Sequence, residues 1–133
     1  NLDYGIFSAL QSAAEKALQL PDVYLHEVQA RYRTRRDFLI QGLAELGWSV
    51  PKTEATMYLW VPCPPGVGST DFALTVLQQT GVVVTPGNAF GSGGEGYVRI
   101  SLIAECDRLG EALKRFKQAN IRFQPQTVAS SSD

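Results

Sequence analysis

Cysteine, histidine and methionine are scarce in this 133-residue chain, at two, one and one residues. That scarcity works against a metal centre. A structural zinc ion takes about four Cys, His or carboxylate ligands at short spacings. Here Cys63 and Cys106 stand far apart, and the single histidine, His26, lies in a helical pattern. No metal is expected, and His26 reads as a surface helix residue. The cysteines read as two reduced thiols of a cytoplasmic protein, with a disulfide as the alternative. An excess of one charge is also missing: 12 basic residues face 13 acidic ones, so capture of nucleic acid or of an anionic membrane surface is not expected. Long apolar runs are missing too. A stretch such as Met57-Tyr58-Leu59-Trp60-Val61 falls far short of the roughly 20 residues that cross a bilayer. Residues 1–20 have neither a basic start nor a long apolar stretch, so no signal peptide is expected, and the expected location is cytoplasmic.

What is present is the composition of a globular domain, 44% hydrophobic and 19% charged. The length suits one domain, able to bury roughly two-thirds of its unfolded surface without metal or disulfide. Helical spacing of Ile6, Phe7, Leu10, Ala14, Ala17 and Leu18 predicts a first helix over about 6–20, stopped by Pro21. A longer helix is predicted over about 22–46, with Asp22 as N-cap and Gly47 as a left-handed stop. Its length suits bracing a neighbour. The period then changes. Residues 57–61 read as a strand, and 71–80 as a short helix capped by Ser69 or Thr70 and ended by Gly81. Val82-Val83-Val84 reads as a short buried strand, 85–96 as a long glycine-bearing loop, and 97–102 as a third strand. A last helix is predicted over about 105–119, with Glu105 and Asp107 at its start and Lys114, Arg115 and Lys117 near its end, as the helix dipole favours. Residues 121–123 are a weak candidate for an edge strand. The expected fold is an α/β (α+β) sandwich: a three- to four-stranded sheet with helices packed against it, preceded by the long helix. The domain is expected over 1–123, with a disordered polar tail at 124–133.

The third strand carries the chemistry. Side chains alternate across a sheet, so Val98, Ile100 and Leu102 face the core while Tyr97, Arg99 and Ser101 face away. Arg99 is then a cation in mid-strand. A guanidinium is a rigid two-pronged donor matched to a carboxylate, and a strand is a rigid mount for a substrate anchor. The alternative from spacing alone is an arginine on a solvated sheet face. Gly91-Ser92-Gly93-Gly94-Glu95-Gly96 reads as a conformational loop and not as a phosphate cradle. It runs into a strand instead of a helix, and Glu95 would repel a phosphate.

Val82-Val83-Val84-Thr85-Pro86-Gly87-Asn88-Ala89-Phe90-Gly91, followed by Gly94-Glu95-Gly96-Tyr97-Val98-Arg99-Ile100-Ser101-Leu102, resembles the C-terminal signature of fold-type I, class I/II aminotransferases. Ala55-Thr56-Met57-Tyr58-Leu59-Trp60 is similar to that family's first small-domain strand. Asn1-Leu2-Asp3-Tyr4-Gly5 resembles a segment of the LL-diaminopimelate aminotransferase branch. The resemblance runs over about 1–116, in the family's order.

The resemblance implies the C-terminal small domain of a pyridoxal 5'-phosphate (PLP) enzyme. That enzyme would transfer an amino group between an amino acid and a 2-oxo acid, as a homodimer. Arg99 matches the arginine that binds the substrate α-carboxylate. Asn1 matches an asparagine that reaches a substrate across the dimer interface, although a plain turn built by Asn1, Asp3 and Gly5 reads equally well. The lysines are Lys16, Lys52, Lys114 and Lys117, and none stands in the family's Ser-x-x-Lys setting. The Schiff-base lysine, the acidic partner of the cofactor and the phosphate cup are therefore expected in a large domain of the same chain, upstream. The piece is expected to be inactive alone, with no catalytic or cofactor-binding residue of its own. Two other readings stay open: a non-catalytic amino-acid-binding regulatory module, and the degenerate aminotransferase domain of a regulator.

Overall fold

The computed structural model describes residues 5–123. The tail expected at 124–133 lies outside them. The described chain runs α1 (Ser8–Leu18), α2 (Asp22–Glu45), β1 (Tyr58–Pro62), α3 (Ser69–Thr80), β2 (Thr85–Pro86), β3 (Tyr97–Ser101) and α4 (Cys106–Gln118). Two short 3-10 turns, Gly87–Phe90 and Ser92–Gly94, separate β2 from β3. No helix among the described residues is long and apolar enough to cross a membrane.

The chain divides into two compact units, residues 1–31 and 32–133, with the division inside α2. In the first unit α1 buries none of its side chains. Ile6 and Phe7 precede the helix, and with Leu10 and Leu18 they are 61–88% exposed, so the predicted apolar stripe is not buried among the described residues. Asp22 is the first helical residue and not a cap outside the helix.

The second unit holds the sheet. Its three strands are antiparallel in the order β1-β3-β2. Tyr58, Trp60 and Pro62 of β1 stand opposite Ser101, Arg99 and Tyr97 of β3, and Thr85 of β2 stands opposite Arg99. One sheet face is covered by helices. Leu59, Val61, Val98 and Leu102 bury there with Leu39 and Leu43 of α2, Phe72 and Val76 of α3, and Leu109 and Phe116 of α4. The opposite face remains uncovered among the described residues. This is the predicted sandwich in its three-stranded form.

Helix ends account for the sharp corners. At the end of α2, Gly47 takes φ 95°, the N–H of Gly47 donates to the Ala44 carbonyl and that of Trp48 to the Leu43 carbonyl, and the Trp48 and Leu43 side chains bury. This is the paired hydrogen-bond stop that a left-handed glycine permits. The end of α4 repeats it with Asn120 at φ 55° and Ile121 bonded to Phe116.

Three further expectations are corrected. Residues 82–84 do not form a strand. Val83 is 77% exposed, and the N–H of Val82 is taken by the Thr80 hydroxyl. The strand is Thr85–Pro86 instead, and Pro86 has no N–H with which to extend the ladder. Residues 121–123 form no strand either, but the Phe123 N–H bonds to the Leu46 carbonyl and Ile121 is buried. Neither Ser69 nor Thr70 caps α3 with its side chain; Gly68 holds the cap position.

Candidate functional site

Arg99 projects from β3 on the uncovered face, as the alternation required. It is only partly buried. Its guanidinium carbon lies 4.0 Å from the centroid of the Tyr58 ring and 4.4 Å from that of Phe90. Among the described residues it has no ion pair and no hydrogen bond. Trp60, its partner across the β1-β3 ladder, stands edge-on to Phe90 at 5.7 Å and to Tyr97 at 6.2 Å. The face is thus an aromatic platform with one cation on it, and Trp60, Phe90 and Tyr97 are 38–50% exposed.

A second arginine shows the contrast. Arg35 of α2 is 5% exposed, donates to the carbonyls of Leu102 and Ile103 at 3.2 and 2.8 Å, and pairs with Glu105. It is consumed in tying the long helix to the end of β3. Arg99 makes no such pair among the described residues.

The loop before β3 is built around Ser69, whose side chain is fully buried. Its hydroxyl accepts from the N–H groups of Gly96 at 2.8 Å and Tyr97 at 3.2 Å and donates to the Gly94 carbonyl at 3.3 Å. The Ser69 N–H donates to the Glu95 carboxylate at 2.8 Å. That bond holds the Glu95 carboxyl below its usual range, against the opposing effect of burial. Glu95 therefore adds to Asp71 of the first turn a second negative charge at the start of α3, where the helix dipole favours it. Gly87 and Gly94 touch backbone to backbone, and a methyl group on Gly87 would also lie 2.7 Å from the Trp60 ring. Gly87 and Gly94 thus serve close packing, whereas an added Cβ at Gly91, Gly93 or Gly96 would meet nothing within 4 Å.

Asn1 lies outside the described residues. Cys63 and Cys106 are both free thiols, and burial pushes the Cys63 thiol up to about 11. No group of three or more His, Cys, Asp or Glu residues that would suit a metal ion occurs among the described residues. A cavity of about 320 Å³ lies on the helix side of the sheet, lined by Leu43, Val84, Ile100, Leu109 and Phe116 among others. Arg99 is not in its wall.

Tyr58, Trp60 and Phe90 are the site residues that the spacing argument about Arg99 left out. The signal for two of them was present: the outward positions of β1 are aromatic and fall opposite those of β3. Phe90 gave no such signal, because its place depends on the course of a loop.

The family described as "Aminotransferase class I and II" matches residues 3–116 of this chain. The chain belongs to that family. An LL-diaminopimelate aminotransferase of Halothermothrix orenii is 46% identical over 123 residues, which is 92% of this chain and 32% of the relative. An LL-diaminopimelate aminotransferase of Oleidesulfovibrio alaskensis is 49% identical over 115 residues, 86% of this chain and 30% of the relative. Among solved structures, apo-BacF from Bacillus subtilis superposes with a TM-score of 0.81 at 35% identity, over 90% of this chain and 31% of that one. The chain therefore spans about a third of the length of the curated relatives it matches. The family is PLP-dependent. The lysines present do not fit a PLP seat: Lys16, Lys114 and Lys117 are exposed on helices, and Lys52 is exposed in the loop before β1, 3.5 Å from Asp37.

Proposed function

We propose that this chain is the C-terminal small domain of a larger PLP-dependent aminotransferase, and that Arg99 receives the α-carboxylate of its substrate. The whole enzyme would move an amino group between an amino acid and a 2-oxo acid. The observation that carries the reading is the state of Arg99. It is a cation on an uncovered sheet face, held between two aromatic rings, with no anion of its own among the described residues. A carboxylate suits such a cation. Its two oxygens match the two-pronged edge of a guanidinium, and such charge-assisted pairs are about twice as strong as neutral ones.

PLP and the lysine that binds it belong, on this reading, to the large domain outside this chain, and the chain alone is inactive. The names of its relatives make LL-diaminopimelate the first amino acid to test. Asn1 is a second substrate contact, made across a homodimer interface in the cytoplasm.

The test is made in the full-length protein. Removing one partner of a buried, hydrogen-bonded ion pair costs about 2–5 kcal/mol. At about 1.4 kcal/mol per decade, Arg99→Ala then raises KM for the amino acid by roughly 30- to several-thousand-fold. Arg99→Lys rescues poorly, because a point charge cannot reproduce the fork. A near-normal KM in a folded Arg99→Ala protein removes Arg99 from the role.

A further inference from the structure

We propose that Phe90 and Tyr58 are positioning residues that fix the plane of the Arg99 guanidinium, and that the glycine-bearing loop is built to deliver Phe90 to that place. The inference rests on the reading of Arg99 as the carboxylate anchor and deepens it.

Arginine has a long side chain with roughly 2 kcal/mol of rotamer entropy. On an uncovered sheet face, with no ion pair among the described residues, nothing polar holds it. Two rings do, at 4.0 and 4.4 Å. A ring over a guanidinium attracts the cation through its π face and occupies none of the N–H groups. The donors stay available for a carboxylate, already oriented before it arrives. Preorganisation of this kind lowers the ordering cost of binding.

Phe90 is 50% exposed, so core burial does not account for its position. Its loop is nevertheless tightly determined. The backbones of Gly87 and Gly94 touch, Asn88 donates to the Thr70 hydroxyl at 3.0 Å, and Gly91 leaves the turn at φ 118°, a conformation that side chains disfavour. Ser69 and Glu95 fasten the far end. The loop thus sets a half-exposed ring against the cation at 4.4 Å, with the Trp60 ring edge-on to it at 5.7 Å.

The experiment is a double-mutant cycle in the full-length protein, with Phe90→Leu, Phe90→Tyr, Arg99→Lys and the Phe90→Leu/Arg99→Lys pair. It reads kcat and KM for LL-diaminopimelate and the inhibition constant of propionate, an unreactive carboxylate. Phe90→Leu keeps apolar bulk and removes the ring. It is expected to raise KM and the propionate constant about three- to tenfold, with kcat within about twofold, a loss in the range of one cation–π contact. Phe90→Tyr keeps the ring and stays within about twofold of wild type. In the Arg99→Lys background, Phe90→Leu changes neither constant further, because an ammonium has no plane for a ring to fix. An equal effect of Phe90→Leu in both backgrounds, or none in either, overturns the inference while leaving the anchor in place. An unchanged KM in Arg99→Lys alone overturns the anchor, and the inference with it.

Discussion

Replacing Ser69 with alanine tests whether the loop before β3 is held by one buried hydroxyl. Three backbone groups depend on that oxygen: the N–H of Gly96 at 2.8 Å, the N–H of Tyr97 at 3.2 Å and the carbonyl of Gly94 at 3.3 Å. The side chain is fully buried, so water does not readily take its place. An orphaned buried polar group costs about 1–3 kcal/mol. The two N–H groups dominate, which gives a loss of about 2–4 kcal/mol, a large part of the roughly 5–15 kcal/mol that stabilises an ordinary domain. At this chain length the melting temperature falls by roughly 10 °C. Urea unfolding followed by tryptophan fluorescence measures it, since Trp48 is buried in the core while Trp60 sits on the site face. The midpoint falls and the slope stays constant. Thr70→Ala is the control: that hydroxyl is exposed and bonds only Asn88, so the change is within about 0.5 kcal/mol. A Ser69→Ala loss below about 0.5 kcal/mol would refute the strap, and with it the account of how β3 is aligned.

Two further outcomes are expected. Gly87→Ala forces a methyl group into the Gly94 backbone and to within 2.7 Å of the Trp60 ring and the Tyr97 carbonyl oxygen. Overpacking of this kind costs about 1–3 kcal/mol, so the urea midpoint drops and the near-ultraviolet circular dichroism of Trp60 changes; a wild-type midpoint contradicts the close approach. A thiol-specific disulfide reagent at pH 8 modifies Cys106 in the folded chain and reaches Cys63 only on unfolding. Burial raises the Cys63 thiol from 9.0 to about 11, so the unfolded state ionises first and stability declines as pH climbs from about 9 towards 11. Two fast-reacting thiols, or no alkaline decline attributable to Cys63 in a comparison with Cys63→Ala, contradict this.

The elements that the sequence disclosed are those whose information is local. Gly47 and Gly81 announced the ends of α2 and α3, and both take positive φ. The V-R-I-S alternation announced β3 and the outward position of Arg99. What stayed hidden depends on contacts distant along the chain. Asn120 ends α4 as a glycine would, but asparagine is ambiguous as a stop. Val82, Val83 and Val84 have the composition of a buried strand, yet a strand needs a neighbour, and β3 reaches only Thr85 and Pro86. Arg35 sits in an arginine-rich stretch with Arg31, Arg33 and Arg36, and nothing local distinguishes it as the one that buries. Ser69 looked like a helix cap because caps are usually serine. Its hydroxyl instead turns back to a segment about 25 residues later.

On the proposed reading, the two faces of the sheet divide the work between stability and recognition. The covered face carries Leu59, Val61, Val98 and Leu102, each 0–1% exposed, and α2, α3 and α4 close over it. Were the opposite face only a solvated surface, short polar side chains would serve it best. It carries Tyr58, Trp60, Tyr97 and Phe90 instead, grouped around one arginine. An exposed aromatic cluster of this kind marks a surface suited to meeting something, and on the proposed reading Arg99, without an anion among the described residues, sets the charge of what it meets. Two rings lie against the partly buried cation, and a guanidinium that is partly dry and already oriented binds a carboxylate more strongly than one that is solvated and mobile. Stability of the described sheet alone gives no reason for this composition, whereas the proposed acid-bearing ligand does.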